Sequence, residues 1–217
     1  MPPESWLPAV IPRDVDEVES VYQRLAPIYD AVYGLLLQPG RTRAIAALRP
    51  RAGESILEVG VGTGIDLARY PEGCRVAAID LSAAMMARAA TRRREQRLNG
   101  VSLCQMNAEQ LGFADGVFDA VYAPYAINVM PDPVAAGREM RRVCRRNGRL
   151  VFLNHFAGTN GMFFADRLVG QVATWLTSVN WHLDLERFLV ATGLRLESIE
   201  AVNIPRVSSV VVCRPDA

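Results

Sequence analysis

The chain has 217 residues, half of them hydrophobic and 22% charged, a composition that suits one globular domain with a sizeable core and excludes a disordered chain. Its formal net charge of +1 gives no electrostatic case for nucleic acid. Every basic residue other than the two histidines is arginine, which reflects either genomic base composition or a preference for bidentate pairing with phosphate.

Residues 14–48 read as helical. Asp14 caps a helix that carries Val15, Val18, Val21 and Tyr22 on one side. Pro27 starts or kinks a second helix, Ile28 to Leu37, which Pro39-Gly40 breaks, and Arg41 to Leu48 makes a third. Strands follow at 55–60, 75–79, 101–106, 117–123 and 148–155, with helices at 64–69, 82–97 and 133–146 between them. Ser82 caps the second of these helices. This alternation predicts a parallel sheet with helices on both faces and a ligand outside the carboxyl ends of the strands. Further on, Met162 to Leu176 and Leu183 to Ala191 read as helices. Leu194 to Val202 and Val207 to Cys213 read as strands joined at Pro205-Arg206 and able to pair antiparallel. No repeat or linker divides the chain, so 1–217 is expected to form a single domain.

The four cysteines, Cys74, Cys104, Cys144 and Cys213, lack metal-ligand spacing; buried thiols in a reducing compartment are expected, with Cys144 on a helix. Met1 to Arg13 has no signal-peptide pattern, and no apolar run approaches the ~20 residues of a membrane span. The expected location is cytoplasmic, with peripheral contact at the inner face of a membrane left open.

The stretch Ile56-Leu57-Glu58-Val59-Gly60-Val61-Gly62-Thr63-Gly64-Ile65-Asp66 carries the chemistry. It reads as a buried strand ending in alternate glycines and then a helix, whose free N–H groups would face an electron-rich ligand. Sixteen residues after Gly64, the strand Val76 to Ile79 ends in Asp80, placed to accept from two ribose hydroxyls. Together they describe a pocket for a nucleoside-type cofactor. The spacing Gly60-x-Gly62-x-Gly64 is not the nicotinamide fingerprint, which has two residues before its third glycine. With Glu58 ahead of it, it resembles the first motif of class I S-adenosylmethionine-dependent methyltransferases. That resemblance implies a doubly wound, mostly parallel, seven-stranded Rossmann-like sheet of α/β class. The final strand would be antiparallel, and helices in residues 1–50 would form a lid over a cofactor-binding core at 51–217. It also implies S-adenosyl-L-methionine as cofactor. Asn107-Ala108-Glu109 stands where an acidic residue usually meets the adenine amino group; Asn107 departs from that pattern, but its amide oxygen can accept and its NH₂ can donate. Leu81 and Met85 could cover the adenine or belong to the core. Asp119 reads as a cap or ion-pair residue. Ala123 stands where nucleic-acid amino methyltransferases carry a polar residue, so no nucleic-acid partner is expected.

A narrower resemblance lies outside the pocket. Tyr22, Tyr29-Asp30, Tyr33-Gly34, Gly40-Arg41, Arg43 and Ile45, with Val151 to His155 at the end of the fifth strand, resemble bacterial phosphatidylethanolamine N-methyltransferases. Ala26-Pro27-Ile28-Tyr29-Asp30 is shared with quinone C-methyltransferases. The implied reaction transfers methyl groups to an ethanolamine headgroup; the alternatives are a small soluble acceptor and a quinone ring. Tyr22, Tyr29, Tyr33 and Tyr125 supply aromatic faces for an increasingly methylated ammonium, and Tyr22 is also placed with the cofactor. His155 is a candidate base or phosphate ligand, beside a substrate-binding Asn154. Arg41 and Arg43 either grip a lipid phosphate or form a solvated helix face. The runs Arg92 to Arg94 and Arg141-Arg142, Arg145-Arg146 read as exposed faces that could meet anionic headgroups. No metal and no obligate protein partner is implied.

Overall fold

The computed structural model describes residues 37–156, 183–203 and 208–215. The helices expected before residue 37, the lid they would form, the helix at 162–176 and the residues Tyr22, Tyr29 and Tyr33 lie outside the described residues. Eleven elements follow in chain order: α1 (Gln38–Leu48), β1 (Ser55–Val59), β2 (Arg75–Asp80), α2 (Ala83–Glu95), β3 (Val101–Gln105), β4 (Phe118–Pro124), α3 (Pro133–Val143), β5 (Cys144–Asn154), α4 (Leu185–Thr192), β6 (Leu194–Val202) and β7 (Ser208–Pro215). They build one seven-stranded sheet in the order β3-β2-β1-β4-β5-β7-β6. β1 to β5 pair in parallel, and β7 is antiparallel to both β5 and β6.

The period-two alternation of the strands divides the core into two layers. Leu57, Val59, Val121, Leu150 and Phe152 pack with Met140 of α3 and Phe188 of α4. Ile56, Ala78, Ala120, Tyr122 and Val151 pack on the other face with Ala44 and Leu48 of α1 and Ala89 of α2. Helices therefore cover both faces, as the βα alternation predicts.

Three local expectations are corrected. The helix expected from Arg41 begins at Gln38, with Pro39-Gly40 in the first turn of α1, where proline lacks only an N–H that would have no intrahelical partner. The helix expected at 64–69 is a single 3₁₀ turn, Leu67–Arg69, because Asp66 is drawn sideways into ion pairs and Pro71 follows at once. α3 ends at Val143, and Cys144 opens a longer β5 instead of lying on a helix. Cys74, Cys144 and Cys213 are buried free thiols, the last two pushed up to about 12 by burial, whereas Cys104 on the edge strand β3 is exposed. Ser82 caps α2, its hydroxyl accepting from the Met85 N–H at 3.3 Å. Asp119 accepts from the Ser55 N–H at 2.8 Å and pairs with Arg145, tying β4 to β1 and β5.

Candidate active site

The sheet changes winding direction between β1 and β4, the place where open α/β sheets bind ligands. A cleft opens there, lined by Val59 of β1, Asp80 of β2 and Pro124 of β4 among others. Its floor is the glycine loop after β1. Gly60 and Val61 each donate to the Ile79 carbonyl at 2.9 Å, and Gly62 donates to Asp80 Oδ2 at 2.8 Å. The three glycines serve different ends. A Cβ on Gly60 would lie 2.5 Å from Ala126 Cβ, and one on Gly64 would lie 2.8 Å from Leu67 Cδ1, so both are demanded by packing. Gly62, at φ +55°, has nothing within 4 Å of that position; it leaves open the approach of a ligand to the backbone.

Asp80, at the end of β2, also accepts from the Ser82 N–H at 2.9 Å. Burial raises its pKa, and the N–H bonds from Ser82 and Gly62 oppose that rise. With the Leu81 N–H bonding it too, an ionised carboxylate of about four acceptor positions keeps one for a ribose hydroxyl. Leu81, Met85 and Met106 form the apolar wall beside it. Asn107, Ala108 and Glu109 continue the wall. Asn107 Oδ1 accepts from the Glu109 N–H at 2.9 Å, which leaves one lone pair on that oxygen and the NH₂ group to offer a ligand. Glu109 Oε1 accepts from the Asp132 N–H at 2.9 Å, which fixes the loop opposite.

On the far side, Tyr125 follows β4 in the left-handed region at φ +55°, an outlier for a bulky residue. Its N–H donates to the Leu153 carbonyl at 2.6 Å, and Arg41 lies 5.3 Å from the ring centroid. Arg41 lines the cleft but is 6% exposed, and its Nη1 donates to Asp66 Oδ2 at 2.5 Å. Its charge is met by Asp66 and by the Tyr125 ring, which corrects the expectation of a guanidinium open to a phosphate. Arg43 is exposed and lies 3.7 Å from Glu200.

Glu58, Gly64, Asn154 and His155 do not line the cleft. Glu58 shares the face of β1 with Ile56 and pairs with Ala78 of β2, on the side of the sheet that packs on α1. It is 1% exposed and accepts from the Tyr70 hydroxyl at 2.7 Å; Oε1 has no partner among the described residues. Burial, reinforced by the Asp66 charge, pushes its pKa up to about 8. Asn154 is fully buried and its amide reaches the Ala123 carbonyl at 3.3 Å. His155 stands one ring back from the cleft: its centroid is 5.9 Å from that of Tyr125, and Nδ1 lies 3.3 Å from Ser208 Oγ.

The arginine runs are distant from all of this. α2 leaves the cleft edge after Asp80 and carries Arg92 to Arg94 in its last turn, toward the opposite edge where β3 begins. Arg142 is bound to Glu139 and Asp115, and Arg145 to Asp119. Sequence reasoning did not single out Met106, Asp66 or Asn203, whose roles depend on contacts between segments far apart in the chain.

The comparisons with known proteins agree with this geometry. Residues 57–152 match the model of a methyltransferase domain. A phosphatidylethanolamine N-methyltransferase of Cereibacter sphaeroides is 38% identical over 188 residues, covering 86% of this chain and 91% of that protein. The chain belongs to the S-adenosylmethionine-dependent methyltransferases. A demethylmenaquinone methyltransferase of Thermobifida fusca is 32% identical over 149 residues, 66% of this methyltransferase and 63% of its relative. The fold is shared with the [4+2]-cyclase SpnF at a TM-score of 0.76 and 20% identity, over 94% of this chain and 98% of that one. The residues of the methyltransferase cleft fit its cofactor: an unobstructed glycine backbone at Gly62, a carboxylate with an acceptor position to spare at Asp80, and an apolar wall from Leu81 to Met106.

Proposed function

We propose that this methyltransferase N-methylates the ethanolamine headgroup of phospholipids, from phosphatidylethanolamine towards phosphatidylcholine. The observation that carries the reading is the 38% identity to a phosphatidylethanolamine N-methyltransferase over 91% of that protein's length. Within the cleft, Asp80 would hold the cofactor ribose, Gly62 would admit the amino-acid end, and Leu81, Met85 and Asn107 would meet the adenine. S-adenosylmethionine supplies an electrophilic methyl on sulfonium. The chain supplies position: holding amine and methyl in line at near-attack distance is worth of order 7–11 kcal/mol in the best cases. The Tyr125 ring faces the acceptor side, and an aromatic face attracts each successive ammonium without asking it for a hydrogen bond. The amine must be neutral to attack, and its proton passes through water to His155, which is held by Ser208 behind Tyr125. The work is placed in the cytoplasm, at the inner face of a membrane where the headgroups lie. Any membrane contact belongs to the cleft edge and not to the arginine runs at the far edge. Among the described residues no helix is long and apolar enough to cross a membrane.

The second reading is C-methylation of a quinone ring, favoured by the 32% identity to a demethylmenaquinone methyltransferase. Expression in a bacterial host that makes phosphatidylethanolamine but no phosphatidylcholine separates the two. Lipid mass spectrometry should then show mono-, di- and trimethylated headgroups. An unchanged lipid profile from folded, cofactor-binding protein, with demethylmenaquinone consumed instead, overturns the headgroup reading.

A further inference from the structure

Behind Tyr125 lies a junction that belongs to no recognised motif. Asn203 ends β6 at φ +71° and is 8% exposed. Its Oδ1 accepts from the Gly40 N–H at 2.9 Å, in the first turn of α1. Its Nδ2 donates to Tyr125 Oη at 2.9 Å and to Ser208 Oγ at 3.0 Å, at the start of β7. The orientation of the carboxamide is settled by chemistry: a backbone N–H only donates, so the oxygen must face Gly40 and both amide hydrogens are committed. The packing around this junction is close. A Cβ on Gly40 would lie 2.8 Å from both Asn203 Oδ1 and Tyr125 Oη.

A tyrosine in the left-handed region costs roughly 1–2 kcal/mol and persists only where its surroundings over-determine it. Asn203 and Ser208 hydrogen-bond the far end of the side chain, and Asn203 also holds Ser208 in place, while Leu153 and Arg41 fix the Tyr125 backbone and ring. Because Oη accepts from Asn203, the phenolic hydrogen is directed elsewhere, and the neighbouring Ser208 hydroxyl lies 3.3 Å from His155 Nδ1. We infer that Asn203 is a positioning residue for this methyltransferase: it locks the Tyr125 hydroxyl and ring in the orientation that presents them to the methyl acceptor. Asn203 itself does not line the cleft, so its effect on turnover passes through Tyr125.

This inference rests on the proposed acceptor side of the cleft, and its test separates the two. Asn203→Gly keeps the left-handed backbone and removes all three side-chain bonds. With phosphatidylethanolamine vesicles and S-adenosylmethionine, kcat should fall about tenfold, the size of one lost hydrogen bond of ~1.4 kcal/mol, with KM and S-adenosylhomocysteine affinity within about twofold. In a Tyr125→Phe background the same change should lower kcat less than about twofold further, because the partner hydroxyl is already gone. Gly40→Ala, which crowds the junction from the other side, should behave like Asn203→Gly and stands in for it if that variant does not fold. Full additivity in the double variant, or wild-type kcat in Asn203→Gly, overturns the inference. If the wild-type protein does not methylate these vesicles, the functional reading fails and the Tyr125 ¹³Cζ resonance, assigned with Tyr125→Phe, decides the positioning role. A shift in Asn203→Gly supports it, and an unmoved resonance overturns it.

Discussion

Replacing Glu58 by Gln should change how stability depends on pH. The carboxyl is 1% exposed, and burial with the nearby Asp66 charge raises its pKa from 4.5 to about 8. Between those values the folded protein holds a proton that the unfolded chain has released. The stability associated with that proton is complete below about 4.5 and is lost as pH rises through about 8. One proton corresponds to a slope of about 1.4 kcal/mol per pH unit. Glutamine cannot ionise, so over two pH units inside this window wild type should lose about 2.7 kcal/mol relative to Glu58→Gln. For a domain of this size that is a divergence of roughly 5–10 °C in melting temperature. Thermal melts of the two proteins across about pH 5.5 to 7.5 measure it. A melting-temperature difference that stays constant across that range refutes the reasoning, and one that shrinks as pH rises reverses the sign.

Gly62→Ala should fold with a loss of only about 1–2 kcal/mol, the cost of a left-handed alanine, but should bind S-adenosylhomocysteine markedly more weakly in calorimetry. Gly60→Ala should show the opposite emphasis, with a larger fall in melting temperature, since its methyl would meet Ala126 at 2.5 Å. Arg142→Ala removes a guanidinium that holds Glu139, Asp115 and the carbonyls of Leu111 and Phe113. Denaturant unfolding should show a loss of about 1–3 kcal/mol with cofactor affinity unchanged.

Much of the sheet was legible because its strands are short apolar runs closed by polar turns. Ser55–Val59, Arg75–Asp80 and Leu194–Val202 begin and end within a residue of their expected bounds. The glycine loop and Asp80 were legible for a different reason: a backbone approach and a ribose anchor leave a local signature of residue type and spacing. What failed was non-local or depended on parity. The one-turn helix after Gly64 could not be told from a full helix without knowing that Asp66 pairs with Arg41, 25 residues earlier. Cys104 was expected among the buried thiols, yet strand alternation sets it on the face opposite Val101 and Leu103, and the edge strand β3 leaves that face exposed. Asn203 reaches Tyr125 across 78 residues and Gly40 across 163, distances at which no sequence pattern points to a partner.

The account depends most on Asp80 as the anchor of the cofactor ribose, and isothermal titration calorimetry of S-adenosylmethionine against wild type and Asp80→Ala tests it directly. Loss of one hydrogen bond to a charged group, about 1.5–3 kcal/mol, predicts affinity at least about tenfold weaker in a variant whose melt confirms that it is folded. Affinity within about twofold of wild type would contradict the placement of the cofactor in this cleft.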